Sequence, residues 1–251
     1  MRWTLIVEPT GRPGSENMSI DYSLLRRAQG GEAFFRLYRW SPPCLSFGRN
    51  EPAKRRYDIA EIERRGIDTV RRPTGGRAVW HDAELTYSVA APAITFGTLA
   101  ESYNIIHATL AAALRSMGVD AGLAAPRPNG ATPLSGGACF AAPVGGEIIA
   151  SGKKLVGSAQ VREEDAFLQH GSVLLHDAQD VVTQVTAGEQ VWPSSTSISA
   201  ILGRDVAFEE VAAAMVAEVQ ASWFGTWESR DLPCGASEYE RFAEPGWTWR
   251  R

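Results

Sequence analysis

Hydrophobic and polar residues follow two different periods along this chain, and together they predict short strands alternating with a few amphipathic helices. The opening run RWTLIVEP is typical of a strand. After a turn made by Gly11, Pro13 and Gly14, Ser15 is placed to cap a helix that runs to about Gln29 and ends at a glycine pair. The following β-rich runs are FFRLYRW, CLSFG, IDTVRRP, AVWHD and ELTYSVAAP, the last two with the alternation of a half-buried sheet, and YDIAEIERRG has helical spacing.

The second half of the chain continues the same alternation of elements. An Ala- and Leu-rich helix is predicted from about Leu99 to Met117, and an Ala- and Val-rich one from about Phe208 to Phe224. Residues 125–138 have the Pro, Gly and small polar composition of a loop. Residues 147–175 predict an antiparallel meander of three strands with tight turns at 151–152 and 163–165.

The order of these elements indicates the fold class. Strands outnumber helices and most are joined by turns, so we predict an α+β fold with a mixed or largely antiparallel sheet flanked by helices. A chain of 251 residues fits one sizeable core. We therefore expect a single catalytic-type domain over residues 1–251, with a short Trp-rich C-terminal tail at about 226–251.

Composition narrows the possible environments and partners. Apolar residues make up 44% of the chain and charged residues 22%, as in ordinary globular proteins. A net charge of −4 argues against nucleic acid as the main partner. The sequence contains no run of eighteen apolar residues, so no membrane span is expected. The three cysteines are widely spaced, which suits a reducing cytoplasm. Neither a disulfide framework nor a zinc knuckle is indicated.

The segment RRPTGGRAVWHDAELTYSV, residues 71–89, is the first candidate site. Its glycine pair would let a backbone approach a ligand closely, although an isolated pair between arginines is more typical of a hairpin turn with solvated surface charges. It is not a Walker loop, since no GK[ST] follows at the required spacing, and it lacks the GxGxxG of a dinucleotide fold.

Cys139 and Lys154 form the second candidate. A thiolate is a strong acyl acceptor, and a nearby ammonium lowers the pKa of a thiol and can exchange protons. The small residues of GSAQ after the lysine would leave room for a ligand. The alternatives are that Cys139 is a small buried hydrophobic residue and that Lys153 and Lys154 are turn charges.

The four histidines do not indicate a metal site. His170 and His176 would lie about 20 Å apart along a straight strand, too far to share a metal. His81 and Asp82 are better explained as a hydrogen-bonded structural pair than as a catalytic dyad. Cys44 and Cys234 are interpreted as packing residues, and no metal or cofactor is predicted.

In combination, these segments resemble the biotin/lipoate protein ligase superfamily. The matching runs are NMSIDYSLL, PPCLSFGRNEP, RRPTGGRAVWHDAELTYSV, ACFAAP, SGKKLVGSAQ and FLQHGSVLLHD, which together cover roughly residues 15–177. A cysteine just before EIIASGKKLVGSAQ is similar to the acyl-enzyme cysteine of the cysteine-dependent octanoyltransferases of lipoic acid assembly. The chain departs from that pattern in the Gly-rich loop before Cys139 and in APVGGEII, which lacks aromatic residues.

The resemblance implies a ligase-like α+β fold and an acyl transfer reaction. Cys139 would be the nucleophile and Lys154 its partner at the acyl carbonyl. Octanoyl would move from acyl carrier protein to a lysine of a lipoyl carrier domain, either the glycine cleavage H protein or a 2-oxoacid dehydrogenase subunit, without ATP. The residues expected to bind substrate are Arg72, Gly75, Gly76, Arg77, Ala78, His81, Gly157, Ser158, Ala159, His170 and Gly171.

Three other functions remain open on sequence grounds. An ATP-dependent lipoate ligase would place phosphates over Gly75, Gly76 and Lys154. An amidotransferase would move octanoyl between carrier domains through the same cysteine, and a non-catalytic carrier-binding protein would retain only the fold. In each case a positive rim for acidic carriers is expected, made by Arg71, Arg72, Arg77, Lys153 and Arg162.

Overall fold

A six-stranded mixed sheet forms the centre of the fold. The computed structural model describes residues 1–125, 145–188, 194–231 and 239–251. In chain order the elements are β1 (Arg2–Arg12), α1 (Gly14–Ala28), β2 (Ala33–Trp40), β3 (Cys44–Phe47), α2 (Ala53–Arg56), α3 (Ile59–Arg64), β4 (Asp68–Arg71), β5 (Val79–His81), β6 (Glu84–Pro92), α4 (Leu99–Ser116), β7 (Ala121–Leu123), β8 (Ile148–Ala150), β9 (Lys153–Lys154), β10 (Val156–Glu163), β11 (Ala166–Leu174), α5 (Asp180–Gln184), α6 (Ile198–Leu202), α7 (Phe208–Ser222), β12 (Thr226–Ser229), α8 (Tyr239–Ala243) and α9 (Pro245–Thr248).

The order of the central sheet is β10-β11-β6-β2-β1-β12. β1 pairs in parallel with β2 and β12, whereas the β2–β6, β6–β11 and β11–β10 pairs are antiparallel. Helices flank this sheet, so the predicted α+β class with a mixed sheet is confirmed. The predicted strands over residues 2–9, 34–40 and 84–92 and the helices beginning near residues 15, 99 and 208 are all present.

Hydrophobic side chains cover both faces of the sheet. On one face, Trp3, Phe35 and Leu85 join a core cluster with α4 and α7, and on the other Phe34 and Leu168 pack with α1. β6 is therefore buried along almost its whole length. The prediction of a half-buried sheet is wrong, because the polar side chains of β6 are also buried: Ser88 donates to Asp21 of α1, and Thr86 accepts from Trp40 Nε1.

A second sheet carries the glycine segment. β3 lies between β4, which runs parallel to it, and β5, which runs antiparallel. Residues 72–78 connect β4 to β5 across the C-terminal end of β3. Gly48, directly after β3, packs against the backbone of Gly76 so closely that an added Cβ would collide with the Gly76 carbonyl. The position of the glycine loop is thus fixed by backbone contact.

The predicted three-strand meander is interrupted after Lys154. Lys153 and Lys154 pair with β8 in a small third sheet, whereas Val156–Glu163 belong to the central sheet. The buried Leu155 lies at the junction. One continuous sequence run therefore joins two sheets, and Lys154 lies at the point where it changes from one to the other.

The C-terminal segment packs against the second sheet. Trp249 contacts Phe47 of β3, with ring centroids 5.1 Å apart, and Trp247 donates a hydrogen bond from Nε1 to the Arg71 carbonyl at 2.9 Å. None of the helices within the described ranges has the length and apolar character needed to cross a membrane.

Candidate active site

Two rows of side chains cross the central sheet on the face covered by α1. In the first row, Tyr38 of β2 lies opposite Thr86, which lies opposite Ser172, which lies opposite Gly157. In the second row, Ser88 lies opposite His170, and His170 opposite Ala159. Because each row ends in a residue with little or no side chain, space remains above β10.

This space is a partly open cavity. Met18, Tyr38, Trp40 and Val79 provide apolar walls. Among the residues that the structure describes, the polar side chains of the lining are Arg72, His81, Thr86, His170 and Ser172, and Gly157, Ser158, Ala159 and Gly171 also line it. The space between these side chains is narrow, with room for about 20 Å³ of water-sized volume inside it, and it widens to about 330 Å³ when the open solvent at its mouth is included. An apolar pocket with a few convergent polar groups is typical of a small-molecule site.

Arg72 organises the glycine loop from within. Its guanidinium donates from Nη1 to the carbonyl of Ser46 at 2.8 Å, and from Nη2 to the carbonyls of Gly75 and Arg77 at 3.1 and 2.8 Å. The side chain is buried. Since a guanidinium offers several donors in a fixed plane, one residue holds both ends of the loop in place.

His170 connects this loop to α1. Its Nε2 lies 2.7 Å from Thr74 Oγ1 and its Nδ1 lies 2.9 Å from Asp21 Oδ2. Burial raises the pKa of Asp21, but the hydrogen bond from His170 and the charge of Arg36 outweigh it, and the pKa is lowered. Burial lowers the pKa of His170 more strongly than Asp21 raises it. A neutral imidazole with its hydrogen on Nδ1 satisfies both contacts.

His81 lies at the opposite wall and is stacked on Trp40, with ring centroids 3.9 Å apart. Its Nε2 lies 2.5 Å from Ser46 Oγ and its Nδ1 lies 2.7 Å from Glu84 Oε1. The carboxylate partner of His81 is therefore Glu84, and the predicted His81–Asp82 pair is wrong. Glu84 begins the buried strand β6, whereas the turn residue Asp82 is exposed.

Lys154 is buried in an ion pair. Its ammonium lies 2.5 Å from Glu147 Oε1, and the two side chains are 1% and 6% exposed. Lys154 precedes Gly157, at the cavity, by three residues, a distance of about 10 Å along a strand. Lys154 itself is not among the described residues that line the cavity.

A second polar network lies beneath the cavity, on the face of the sheet covered by α4. His107 Nδ1 lies 2.6 Å from the Gly146 carbonyl, so Nδ1 carries the hydrogen and Nε2 accepts one. Nε2 lies 2.8 Å from Ser158 Oγ, which also contacts Tyr87 OH at 2.8 Å. Burial lowers the pKa of His107 to about 4, the Gly146 carbonyl opposes this shift, and the charge of Lys154 adds to it.

The predicted site residues other than Lys154, whose ion pair with Glu147 is described above, divide into residues of the cavity, residues of the adjoining loop, and Cys139. Seven of them, Arg72, His81, Gly157, Ser158, Ala159, His170 and Gly171, line one cavity. Gly75, Gly76, Arg77 and Ala78 form the adjoining loop, of which the two glycines are exposed. Cys139 and Cys234 lie outside the described residues.

The predicted positive rim is wrong for two of its members. Arg71 and Arg72 are buried and donate to backbone carbonyls. The C-terminal segment covers Arg71, and the glycine loop wraps around Arg72. Lys153 and Arg162 are exposed, as expected of rim residues.

Sequence reasoning missed several residues of these networks. Asp21, Thr74, Glu84 and Glu147 are polar residues within strands, loops or a helix that gave no motif of their own. His107 did give a signal, since it lies on the apolar stripe of α4 between Ile106 and Leu110. A histidine on such a stripe must be hydrogen-bonded inside the protein.

Comparison with known sequences gives a family match over most of the chain. Residues 13–220 match the model of the Lipoyl protein ligase A/B catalytic domain. An octanoyltransferase LipM from Kyrpidia tusciae is 44% identical over 168 residues, which cover 63% of this chain and 61% of that protein. Another LipM, from Exiguobacterium sp., is 33% identical over an alignment of 276 positions including gaps, which covers 99% of this chain and 98% of that protein. The match to the first of these relatives thus spans about three fifths of its length.

Comparison with solved structures gives the same fold. A lipoate-protein ligase A bound with ATP superposes with a TM-score of 0.81 at 20% identity, covering 99% of both chains. A putative lipoate protein ligase from T. acidophilum with bound lipoic acid gives 0.80 at 20% identity, covering 99% and 100%. At 20% identity the superposition establishes the fold, and the reaction has to be argued from the residues of the site.

Proposed function

The chain belongs to the Lipoyl protein ligase A/B catalytic domain family, and from this premise we propose that it is an octanoyltransferase of lipoate assembly. It would take octanoyl from acyl carrier protein as a thioester on Cys139 and pass it to a lysine of a lipoyl carrier domain. The similarity to octanoyltransferase LipM proteins supports the octanoyl group and the transferase reaction.

The observation that carries the proposal is the buried ammonium of Lys154. Glu147 holds it at 2.5 Å where the chain enters the central sheet, and the next strand residues border the cavity. A buried lysine paired with a carboxylate retains its charge, and this charge favours a nearby thiolate or carbonyl oxyanion. Cys139 precedes Glu147 by eight residues in the sequence.

In the first half-reaction the Cys139 thiolate attacks the thioester carbonyl of the octanoyl carrier. A carbon–sulfur bond to Cys139 forms and the bond to the carrier thiol breaks. Cys139 loses one proton when it becomes a thiolate, and the leaving thiolate gains one. The Lys154 ammonium is the group proposed to donate a proton to the leaving thiolate and then to be reprotonated, so that it ends the step charged. One thioester replaces another, so the step is nearly isoenergetic and requires no ATP.

In the second half-reaction the amine of the target lysine attacks the octanoyl enzyme. A carbon–nitrogen bond forms, the bond to Cys139 breaks, and the proton lost by the amine returns to the thiolate. Amide formation makes this step downhill. Because the amine must be neutral to attack, the second half-reaction should accelerate as the pH rises toward the pKa of lysine.

The acyl chain is proposed to lie against Met18, Tyr38, Trp40 and Val79. Burying seven chain carbons contributes about 5–6 kcal/mol at roughly 0.8 kcal/mol per methylene. One methylene more or less changes discrimination by only about 1–3 kcal/mol. The preference for octanoyl therefore rests on the relatives and not on the walls of the cavity.

The decisive experiment is intact-mass analysis after incubation with octanoyl acyl carrier protein in the absence of ATP. We expect the added mass of one octanoyl group, absent in Cys139→Ala and retained in Cys44→Ala. Cys44 is a matched control because burial and the charge of Asp68 raise the pKa of its thiol well above the ordinary value. Transfer to a lipoyl domain should then remove the group. An unlabelled wild-type protein would refute the proposal.

The ATP-dependent ligase is the second candidate. The ATP-bound lipoate-protein ligase A has the same architecture, and the exposed glycine pair beside the cavity offers backbone to a phosphate. Labelling of a lipoyl domain that requires both ATP and free octanoate, and that survives Cys139→Ala, would favour this function over transfer.

A further inference from the structure

A positively charged surface lies beside the glycine loop, made by residues that are distant in sequence. Arg49 follows β3, and Arg241 and Arg250 come from the C-terminal segment. Arg250 donates from Nη2 to the Arg49 carbonyl at 2.6 Å. We call Arg49, Arg241 and Arg250 the arginine surface. The basic residues Lys54 and Arg55 of α2 adjoin it, since the Lys54 N–H donates to the carbonyl of Arg251.

Trp247 holds two of these guanidinium groups. Arg250 lies over its ring at 3.9 Å and Arg241 at 4.1 Å from the centroid. Stacking fixes the planes of the guanidinium groups, and a fixed plane presents its edge donors to a carboxylate or phosphate in a bidentate geometry. The Trp-rich tail thus orders cationic groups that would otherwise move independently in solvent.

The charge of this surface is only partly compensated. Among the residues that the structure describes, Glu163 is the single carboxylate within ion-pair distance of Arg49, at 3.4 Å, and none lies that close to Arg241 or Arg250. Burial lowers the pKa of Arg250, and the charges of Arg49, Arg251 and Arg241 lower it further. Like charges held together in this way are stabilised by an anionic partner.

The arginine surface is connected to the wall of the cavity by a backbone hydrogen bond. The Arg49 N–H donates to the Thr74 carbonyl at 2.7 Å, and Thr74 Oγ1 contacts His170 in the cavity wall. A partner bound to this surface would therefore be placed where a thioester on a flexible arm could enter. The chain as a whole is negative, with a net charge of −4, so this patch is local rather than a general basic character.

We propose that the arginine surface is the docking site for the acidic acyl carrier that donates the thioester, a proposal that rests on the proposed function. The carboxylates of the carrier and the phosphodiester of its arm would pair with the guanidinium edges. A small surface at the mouth of an acyl cavity fits such a carrier better than it fits a nucleic acid, which needs an extended row of phosphate contacts.

The test compares two thioester donors in R241Q/R250Q and in the wild type. One donor is octanoyl acyl carrier protein, and the other is octanoyl N-acetylcysteamine, which carries no charged protein. We expect the ratio of the two octanoylation rates to fall about tenfold in low salt, at the lower end of what electrostatic steering provides. The R241K/R250K variant should recover most of the ratio, and added salt should reduce it in the wild type.

The matched control is R2Q/R204Q, which removes the same charge from two exposed arginines outside the arginine surface. An equal fall in this control, or an unchanged ratio in R241Q/R250Q, would overturn the proposal. So would a loss confined to transfer onto the lipoyl domain, or weakened binding of a DNA duplex with normal octanoylation by the carrier. Thermal melting of each variant excludes misfolding as the cause.

Direct binding separates this proposal from the proposed function. The affinity of the unacylated carrier is measured by titration against wild type, R241Q/R250Q and R2Q/R204Q. If neither donor labels the wild type, the transfer reaction fails, while about tenfold weaker carrier binding by R241Q/R250Q alone would still support the docking surface. Equal binding by all three proteins would refute the docking surface, whatever the outcome for the reaction.

Discussion

Replacing Lys154 with methionine tests how much of the protein's stability depends on the buried ion pair. The ammonium is 1% exposed and the carboxylate of Glu147 is 6% exposed, so both charges are shielded from water in the folded protein. Breaking a buried pair by removing one partner costs about 3–5 kcal/mol, because the remaining charge is uncompensated. For a domain of this size that corresponds to a fall in Tm of the order of 10 °C.

The double variant Lys154→Met with Glu147→Met gives the sharper result. Replacing a whole buried pair by apolar side chains of similar size is often neutral or stabilising. We therefore expect the double variant to lie within about 1 kcal/mol of the wild type in urea unfolding, whereas each single variant is much less stable. Octanoylation by the carrier should be lost in Lys154→Met and should not return in the double variant, because the ammonium is absent from both.

Two outcomes would refute this reasoning. If Lys154→Met unfolds at the same urea concentration as the wild type, the pair does not contribute as its burial implies. If the double variant loses as much stability as the two single variants together, then Lys154 and Glu147 act independently of each other. Activity in the stable double variant would remove Lys154 from the proposed reaction.

Three further predictions follow from the same geometry. The imidazole of His107 has a pKa of about 6.5 in the unfolded chain and of about 4 in the folded protein, so the unfolded state binds more protons between these pH values. The free energy of unfolding should therefore fall by roughly 3 kcal/mol as the pH falls from about 6.5 to about 4. In urea unfolding, His107→Gln should show a weaker dependence of stability on pH in this range, and an unchanged dependence would contradict the assignment. Gly171→Ala should lower the free energy of unfolding by about 1–3 kcal/mol, because an added Cβ would lie 2.7 Å from the Gly157 carbonyl oxygen. Gly75→Ala is the control, since no atom lies within 4 Å of its added Cβ, and it should melt at the temperature of the wild type. Equal melting temperatures for the two variants would refute the packing argument. Arg72→Lys should reduce octanoylation more than it reduces Tm, because an ammonium cannot bridge both ends of the glycine loop; full activity would show that the loop does not need this bridge.

Local patterns determined most of the secondary structure. The strands β1, β2 and β6 and the helices α1, α4 and α7 follow from periodicity and from glycine positions at element ends. Where the interpretation was wrong, long-range packing was the cause. Alternation in β6 cannot distinguish a solvent-facing Ser88 from one that donates to Asp21 beneath α1. Similarly, no local signal in SGKKLVGSAQ marks Leu155 as the point where one strand leaves a small sheet for the central one.

The residues of the candidate site also fall into those that local motifs revealed and those that only long-range contacts revealed. The motifs contained Arg72, His81, Gly157 and His170, because these residue types stand out within short runs. The partners of these residues come from distant segments of the chain. Asp21 in the first helix, for example, orients His170, although the two residues are separated by more than half of the sequence. Such pairs depend on which strands become neighbours, and nothing in either segment alone specifies this.

The sequence by itself determined the elements, the fold class and the family, since these depend on local periodicity and on short motifs kept in order. Only the tertiary structure decided that Glu84 rather than Asp82 orients His81, that Glu147 compensates Lys154, and that the C-terminal arginines lie beside the glycine loop. The physical reason is that charge pairing and desolvation act through space over a few ångströms, whereas sequence patterns report only neighbours along the chain.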